Sequence, residues 1–240
     1  MNISINDYRI MYAQREASRQ SRIRALNLPI YTFNEELINS ATHALGAIMG
    51  MAGWLMSLKL LIPAGNMAAT LSMSVFFASM ILLYANSALY HGWELSNAKK
   101  KFQIMDHCSI FVLITGTYAP YTLMVMNNLA GRIIFAIVAL TSVLGIALNI
   151  IDMKKFRFVS MACYLVTGWC ILFAYKDIAA ALSPEQFTML VLGGVIYTLG
   201  TIFYGLGNQI RYMHSIWHLF VLGGSLLHFA SLYSFILYNL

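Results

Sequence analysis

The sequence predicts an all-α integral membrane protein, a bundle of seven transmembrane helices with its N-terminus in the cytoplasm and its C-terminus outside. Three observations carry this. First, 60% of the 240 residues are hydrophobic and only 10% are charged, whereas soluble domains hold about 45–50% apolar and about 25% charged residues. Second, runs free of Lys, Arg, Asp and Glu recur at the length of about 20 residues that a span needs. Third, basic residues alternate from side to side of those runs. Twelve fall on the N-terminal side (Arg9, Arg15, Arg19, Arg22, Arg24, Lys99, Lys100, Lys101, Lys154, Lys155, Arg157 and Arg211) and three on the other (Lys59, Arg132 and Lys176). Cytoplasmic segments carry the excess of Lys and Arg, and the alternation holds only for seven spans.

Residues 1–34 read as a basic cytoplasmic tail. It is expected as a loose juxtamembrane segment, although Arg15, Arg19 and Arg22 can share a helical face suited to anionic lipid. Thr32-Phe33-Asn34-Glu35 reads as a capping box that opens the first membrane helix. Residues 35–240 then form one membrane domain. Its spans are expected at about 37–58, 67–90, 107–126, 133–151, 158–175, 187–206 and 214–238. Pro63-Ala64-Gly65-Asn66 supplies a turn before the second span. Pro120 is expected to kink the third. Ser183-Pro184-Glu185 supplies a cap with Pro in the first turn of the sixth. Gly46, Gly50 and Gly53, and Gly193 and Gly194, permit close helix contacts.

Composition also excludes some classes. The net charge of +6 is explained by its location and does not point to nucleic acid. Cys108, Cys163 and Cys170 all fall inside spans, so no disulfide framework is expected. The first thirty residues hold no apolar h-region, so no cleaved signal peptide is expected.

The chemistry collects at one end of the bundle. His214 and His218 open the seventh span at i and i+4, about 40° apart around the helix and roughly 6 Å apart along it. Ser87 and His91 repeat that spacing at the end of the second span, and Asp106-His107 opens the third. Glu36, Asn39 and His43 lie on one face at the start of the first. Ionisable groups at membrane depth are costly unless they are satisfied, and so mark functional positions. His91, His214 and His218 together would leave a fourth ligand position open, which is the arrangement of catalytic zinc. Imidazole suits zinc, and by ligand type also iron, nickel and copper. Asp106 is the candidate general base and Ser87 the candidate orienting group. Glu36, Asn39 and His43 are candidates to brace the ligands. The competing reading is that all these groups only hydrogen-bond neighbours at the interface. His228 lies ten residues beyond His218, about 15 Å further along the helix, and is expected to make a buried hydrogen bond. His107 is expected at the interface, as are Tyr31, Tyr90, Trp93 and Tyr212.

Glu36-x-x-Asn39-x-x-Thr42-His43, Ser87-x-x-x-His91, Asp106-His107-x-x-Ile110, Gly116-Thr117-Tyr118-x-Pro120 and His214-x-x-x-His218 occur in this order. The set resembles the hemolysin III family of bacterial inner-membrane proteins, related to the progestin and adipoQ receptors and more distantly to alkaline ceramidases. The resemblance covers nearly the whole chain from about Glu35. It implies a seven-helix bundle in the inner membrane, with Zn2+ on His91, His214 and His218 and with Ser87 and Asp106 beside it.

Three functions follow as expectations. The first is a zinc-dependent intramembrane hydrolase of a lipid amide or ester, similar to a ceramidase. The second is a membrane-homeostasis or sensor protein with a structural zinc site. The third, implied by the family name, is lysis of cells. A membrane lipid is the expected substrate or ligand. The short segments outside the spans offer little to a folded protein hormone, and the sequence leaves the oligomeric state open.

Overall fold

The computed structural model describes residues 5–239. It is all helical: α1 (Ile5–Ala25), α2 (Phe33–Leu61), α3 (Met67–Gly92), α4 (Asn97–Ala119, continued by a π-helical turn at Pro120–Met126), α5 (Leu129–Asp152), α6 (Arg157–Gly168, followed by a 3-10 turn at Cys170–Ala174), α7 (Tyr175–Ala181), α8 (Pro184–Leu206) and α9 (Met213–Asn239). Among the described residues, seven helical segments are long and apolar enough to cross a membrane, the fifth being α6 with α7. Their outer faces carry large apolar side chains, such as Ile133, Leu140, Leu144 and Ile151 on α5, exposed to the surroundings. Soluble proteins rarely leave apolar patches of this extent uncovered. Helices satisfy their own backbone groups, which hydrocarbon requires. The chain is therefore a multi-pass membrane protein.

The turn chemistry follows the sequence. The Thr32 hydroxyl accepts from the Glu35 amide, and the Glu35 carboxylate accepts from the Thr32 amide at 2.8 Å, completing the capping box. Gly65 takes a left-handed φ of 68°, and Asn66 caps α3. Ser183 caps α8 with Pro184 in its first turn. Gly46 lets α2 approach α3 and α9, because a Cβ there would lie 2.7 Å from Leu222 and 2.9 Å from Tyr84. The Tyr84 hydroxyl, buried at that crossing, donates to Ser225 Oγ at 2.7 Å and so ties α3 to α9. The three cysteines are free.

Three expectations are corrected. The N-terminal segment is a helix rather than a loose tail. Its Arg19 and Arg22 donate to the carbonyls of Tyr31 and Leu95, each at 2.7 Å. The third span begins ten residues earlier than its charge-free run, because Ser96 caps a helix that carries Lys99–Lys101 in its first turns. At Pro120 the helix passes into a π-helical turn that closes with left-handed Asn127. The fifth span is broken after Gly168. The break is held by Tyr118 of α4, whose hydroxyl donates to the Gly168 carbonyl and accepts from the Ile171 amide, both at 2.9 Å. Such side-chain satisfaction is what allows an interrupted helix at membrane depth.

α3 packs between α2 and α4, and α9 packs against α8 and α2. The C-terminal end of α3 and the N-terminal ends of α2, α4 and α9 therefore meet at one end of the bundle.

Candidate metal centre

His91, near the end of α3, meets His214 and His218, in the first two turns of α9. Each offers one ring nitrogen, and these atoms lie within 4.8 Å of one another. The ring centroids are 5.2 Å apart for His91 and His214, 5.1 Å for His91 and His218, and 4.8 Å for His214 and His218. All three residues are buried.

The surroundings fix the rings. His91 Nδ1 lies 2.7 Å from the Glu36 carboxylate. A carboxylate only accepts, so the proton belongs on Nδ1 and the lone pair on Nε2. His218 Nδ1 lies 3.2 Å from the Asn39 carbonyl, which assigns the same tautomer. Nε2 of His91 and Nε2 of His214 are buried with no hydrogen-bond partner. Buried polar atoms without partners are uncommon and each needs a reason. A shared cation is the reason that fits here: neutral imidazole nitrogens converge, and a carboxylate and a carbonyl orient two of the rings from behind.

α2 supplies that bracing. Glu36 reaches His91, and Asn39 gives its carbonyl to His218 while its side chain accepts from Ser215 at 2.5 Å. Thr42 Oγ1 lies 3.4 Å from His218 Nδ1. His43 stacks on His218 with ring centroids 3.6 Å apart and 9° between planes. Glu36, Asn39 and His43 thus all lie against the ligands or their supports. Replacing Glu36 by Gln keeps the shape but weakens the hold on His91. We expect Glu36→Gln to bind metal about 10–100-fold more weakly, measured by competition with a chelator of known affinity.

Ser87 and Asp106 line a cavity together with His43, His214 and His218. Ser87 Oγ is buried without a partner of standard hydrogen-bond geometry. The Asp106 carboxylate is a near neighbour of this hydroxyl. Asp106 also lies 4.0 Å from His107 Nδ1, but that nitrogen is taken by the Gln103 carbonyl at 2.9 Å.

Several residues stand elsewhere than the sequence suggested. Tyr31 and Tyr90 are not interface anchors. They are 4% and 2% exposed, and Tyr31 stacks on His214 at 5.0 Å. Trp93 and Tyr212 are exposed. His107 is half-buried and lines two cavities. His228 is buried, yet its Nδ1 has no partner, and its ring packs beside Tyr197 and Tyr121.

Two supports escape sequence reasoning. Lys99 is 2% exposed, and its Nζ bonds Glu36 at 3.1 Å. The same Nζ donates to the carbonyls of Tyr90, His91 and Trp93 at 2.6, 3.1 and 3.2 Å, closing the C-terminal end of α3. Glu35 adds a second task to its cap: its other oxygen accepts from the Tyr212 amide at 2.7 Å. That bond holds Tyr212 at a left-handed φ of 64°, uncommon for a bulky residue, immediately before α9 presents His214. The run of three lysines does not reveal which one faces inward, and the Glu35–Tyr212 contact spans 177 residues.

The cavity beside the histidines is otherwise apolar, with a volume of about 140 Å³, lined by residues such as Leu83, Ile110, Leu113, Phe187 and Leu190. His214 and His228 both line it and stand fourteen residues apart on α9. At 1.5 Å per residue this is about 21 Å, more than half of the ~30 Å hydrocarbon thickness.

Known proteins share this arrangement of sequence. A family described as "Haemolysin-III related" matches residues 31–229. The chain is 37% identical over 196 residues to the "Hemolysin-3 homolog" of Bacillus subtilis (strain 168), covering 82% of this chain and 92% of that protein. It is 34% identical over 203 residues to "Hemolysin-3" of Bacillus cereus, covering 85% and 92%. A "Monocyte to macrophage differentiation factor" of Homo sapiens is 23% identical over 211 residues, covering 85% and 86%. The matched region takes in every helix from α2 through most of α9, and with it all three histidines: the chain belongs to the haemolysin-III-related family.

Proposed function

We propose that the protein is a zinc-dependent intramembrane hydrolase that cleaves an amide or ester of an acyl lipid. One observation carries this reading: a three-histidine cluster with carboxylate bracing has two of its histidines, His214 and His218, lining a long apolar cavity together with Ser87 and Asp106. A structural site alone requires neither the cavity nor the serine and aspartate that line it. Three imidazoles leave one position open, as in catalytic zinc. The metal, when bound, would supply Lewis acidity toward a carbonyl and toward water.

The chain's own residues supply the rest. The apolar cavity holds an acyl chain and keeps water from its length. Its carbonyl end then lies against His214 and His218. Ser87 Oγ, with no hydrogen bond of standard geometry, donates to the substrate oxygen or orients the attacking water. Asp106 takes the proton released in the attack and passes it to the leaving amine or alcohol. Glu36 and Asn39 hold the rings in the ligating tautomer throughout. Following the basic bias of the sequence, we place the histidine end at the cytoplasmic face of a bacterial inner membrane.

A second reading follows from the bracing itself. The cluster joins α3 to α9 and is backed by α2, so a metal that only fastens these helices suits a homeostasis or sensor protein. Two relatives carry the name hemolysin, which suggests lysis as a third outcome. The test uses purified protein in liposomes that contain acyl lipids and an entrapped dye. The hydrolase reading predicts fatty-acid release that chelation abolishes and zinc restores, without dye leakage. Zinc-independent leakage with no fatty acid released would contradict it and favour lysis.

A further inference from the structure

A second cavity opens at the histidine end, with a volume of about 430 Å³. His107, Tyr164, Tyr204 and His214 line both this cavity and the apolar one, so the two share a wall that includes one of the candidate metal ligands. Their linings differ. The second is the more polar of the two, and among the described residues it is lined by two cations, Lys154 and Arg157, and by no carboxylate. Lys154 is engaged with the Asn27 side chain. The Arg157 guanidinium makes no hydrogen bond or ion pair among the described residues; it lies over the rings of Tyr204 and Phe158, at 5.8 and 5.9 Å. Aromatic faces orient a guanidinium without using its N–H groups. Five donors in a planar fork therefore remain at the wall of a cavity that has no anion of its own, and such a fork matches phosphate oxygens in pairs.

We propose that this polar cavity binds the phosphate group of an acyl lipid, with Arg157 as its anchor, while the acyl chain passes His214 into the apolar cavity. The proposal rests on the hydrolase reading for its class of substrate and narrows it to lipids bearing phosphate beyond the scissile carbonyl. Arg157 is here a binding residue for the headgroup and takes no part in bond cleavage.

Binding can be read without turnover. The full chain, zinc-loaded in neutral-lipid nanodiscs, is titrated with lysophosphatidate, with monoacylglycerol of the same acyl chain and with inorganic phosphate, using native mass spectrometry. The expected result is lysophosphatidate bound about tenfold more tightly than monoacylglycerol, the worth of a charge-assisted hydrogen bond. Arg157→Gln should lose that preference and Arg157→Lys should keep part of it. Lys155→Gln, which removes a neighbouring charge outside the cavity, should keep all of it. Equal affinity of the wild type for the two lipids would overturn the proposal, as would a preference that survives Arg157→Gln. Inorganic phosphate bound as tightly as lysophosphatidate would also overturn it, by showing a site for the free anion. If Arg157→Gln fails to fold, the wild-type comparison and Lys155→Gln still decide. An intact preference with no hydrolysis of either lipid would sink the hydrolase reading alone. Hydrolysis of monoacylglycerol with no binding preference would sink the phosphate site alone.

Discussion

Asp106→Asn will keep its metal and lose lipid hydrolysis by about 10²–10⁴-fold, the usual worth of a positioned general base. Asn has nearly the shape of Asp and can still accept from Ser87, so the cavity wall is preserved. It cannot take a proton. The change is remote from the bracing of the ligands, because Glu36 and Asn39, and not Asp106, touch the histidine Nδ1 atoms. Metal content and fatty-acid release, measured on one preparation, separate the two effects. Turnover equal to wild type would remove Asp106 from the mechanism. Parallel loss of metal and turnover would make it a support of the site.

Lys99→Met will destabilise the protein by about 3–5 kcal/mol, as expected when one partner of a buried ion pair is removed. The change leaves the Glu36 carboxylate without its cation and leaves the carbonyls of Tyr90, His91 and Trp93 without a donor. It also loosens His91, which Glu36 holds at 2.7 Å. Removing the carboxylate charge as well relieves part of the cost, so Lys99→Met with Glu36→Gln should melt above Lys99→Met alone. Thermal unfolding in one detergent, followed for wild type, both single variants and the double variant, checks this as a mutant cycle. A Lys99→Met protein as stable as wild type would show that the buried pair does not hold the end of α3.

The contrast between Lys99 and the histidines shows what the sequence made legible. The spans were visible because hydrocarbon forbids unpaired charge over about 20 residues, which leaves a long signal in composition. The triad was visible because i, i+4 spacing places His214 and His218 on one face and because His91 lies at the matching end of its span. Other features depend on partners far away in the chain. Lys99 looked like its neighbours Lys100 and Lys101, and only the packing of α4 on α3 turns it toward Glu36. The break after Gly168 is tolerated because a tyrosine fifty residues earlier satisfies it. Tyr31 and Tyr90 carried the ordinary signature of interface aromatics but are packed against histidine rings. Arg19 and Arg22 suited anionic lipid by spacing, yet find carbonyls within the protein. Local periodicity fixes which face a residue occupies, whereas tertiary contacts fix what that face meets.

Metal content by mass spectrometry on purified wild type and on His218→Ala tests most directly whether His91, His214 and His218 hold one metal ion. About one zinc per chain in the wild type, clearly reduced in a His218→Ala protein that still folds, is the predicted result for a three-histidine site. A wild-type protein that folds equally well and carries no metal after purification without chelators and with zinc supplied would contradict the claim. The unpaired Nε2 atoms of His91 and His214 would then need another partner.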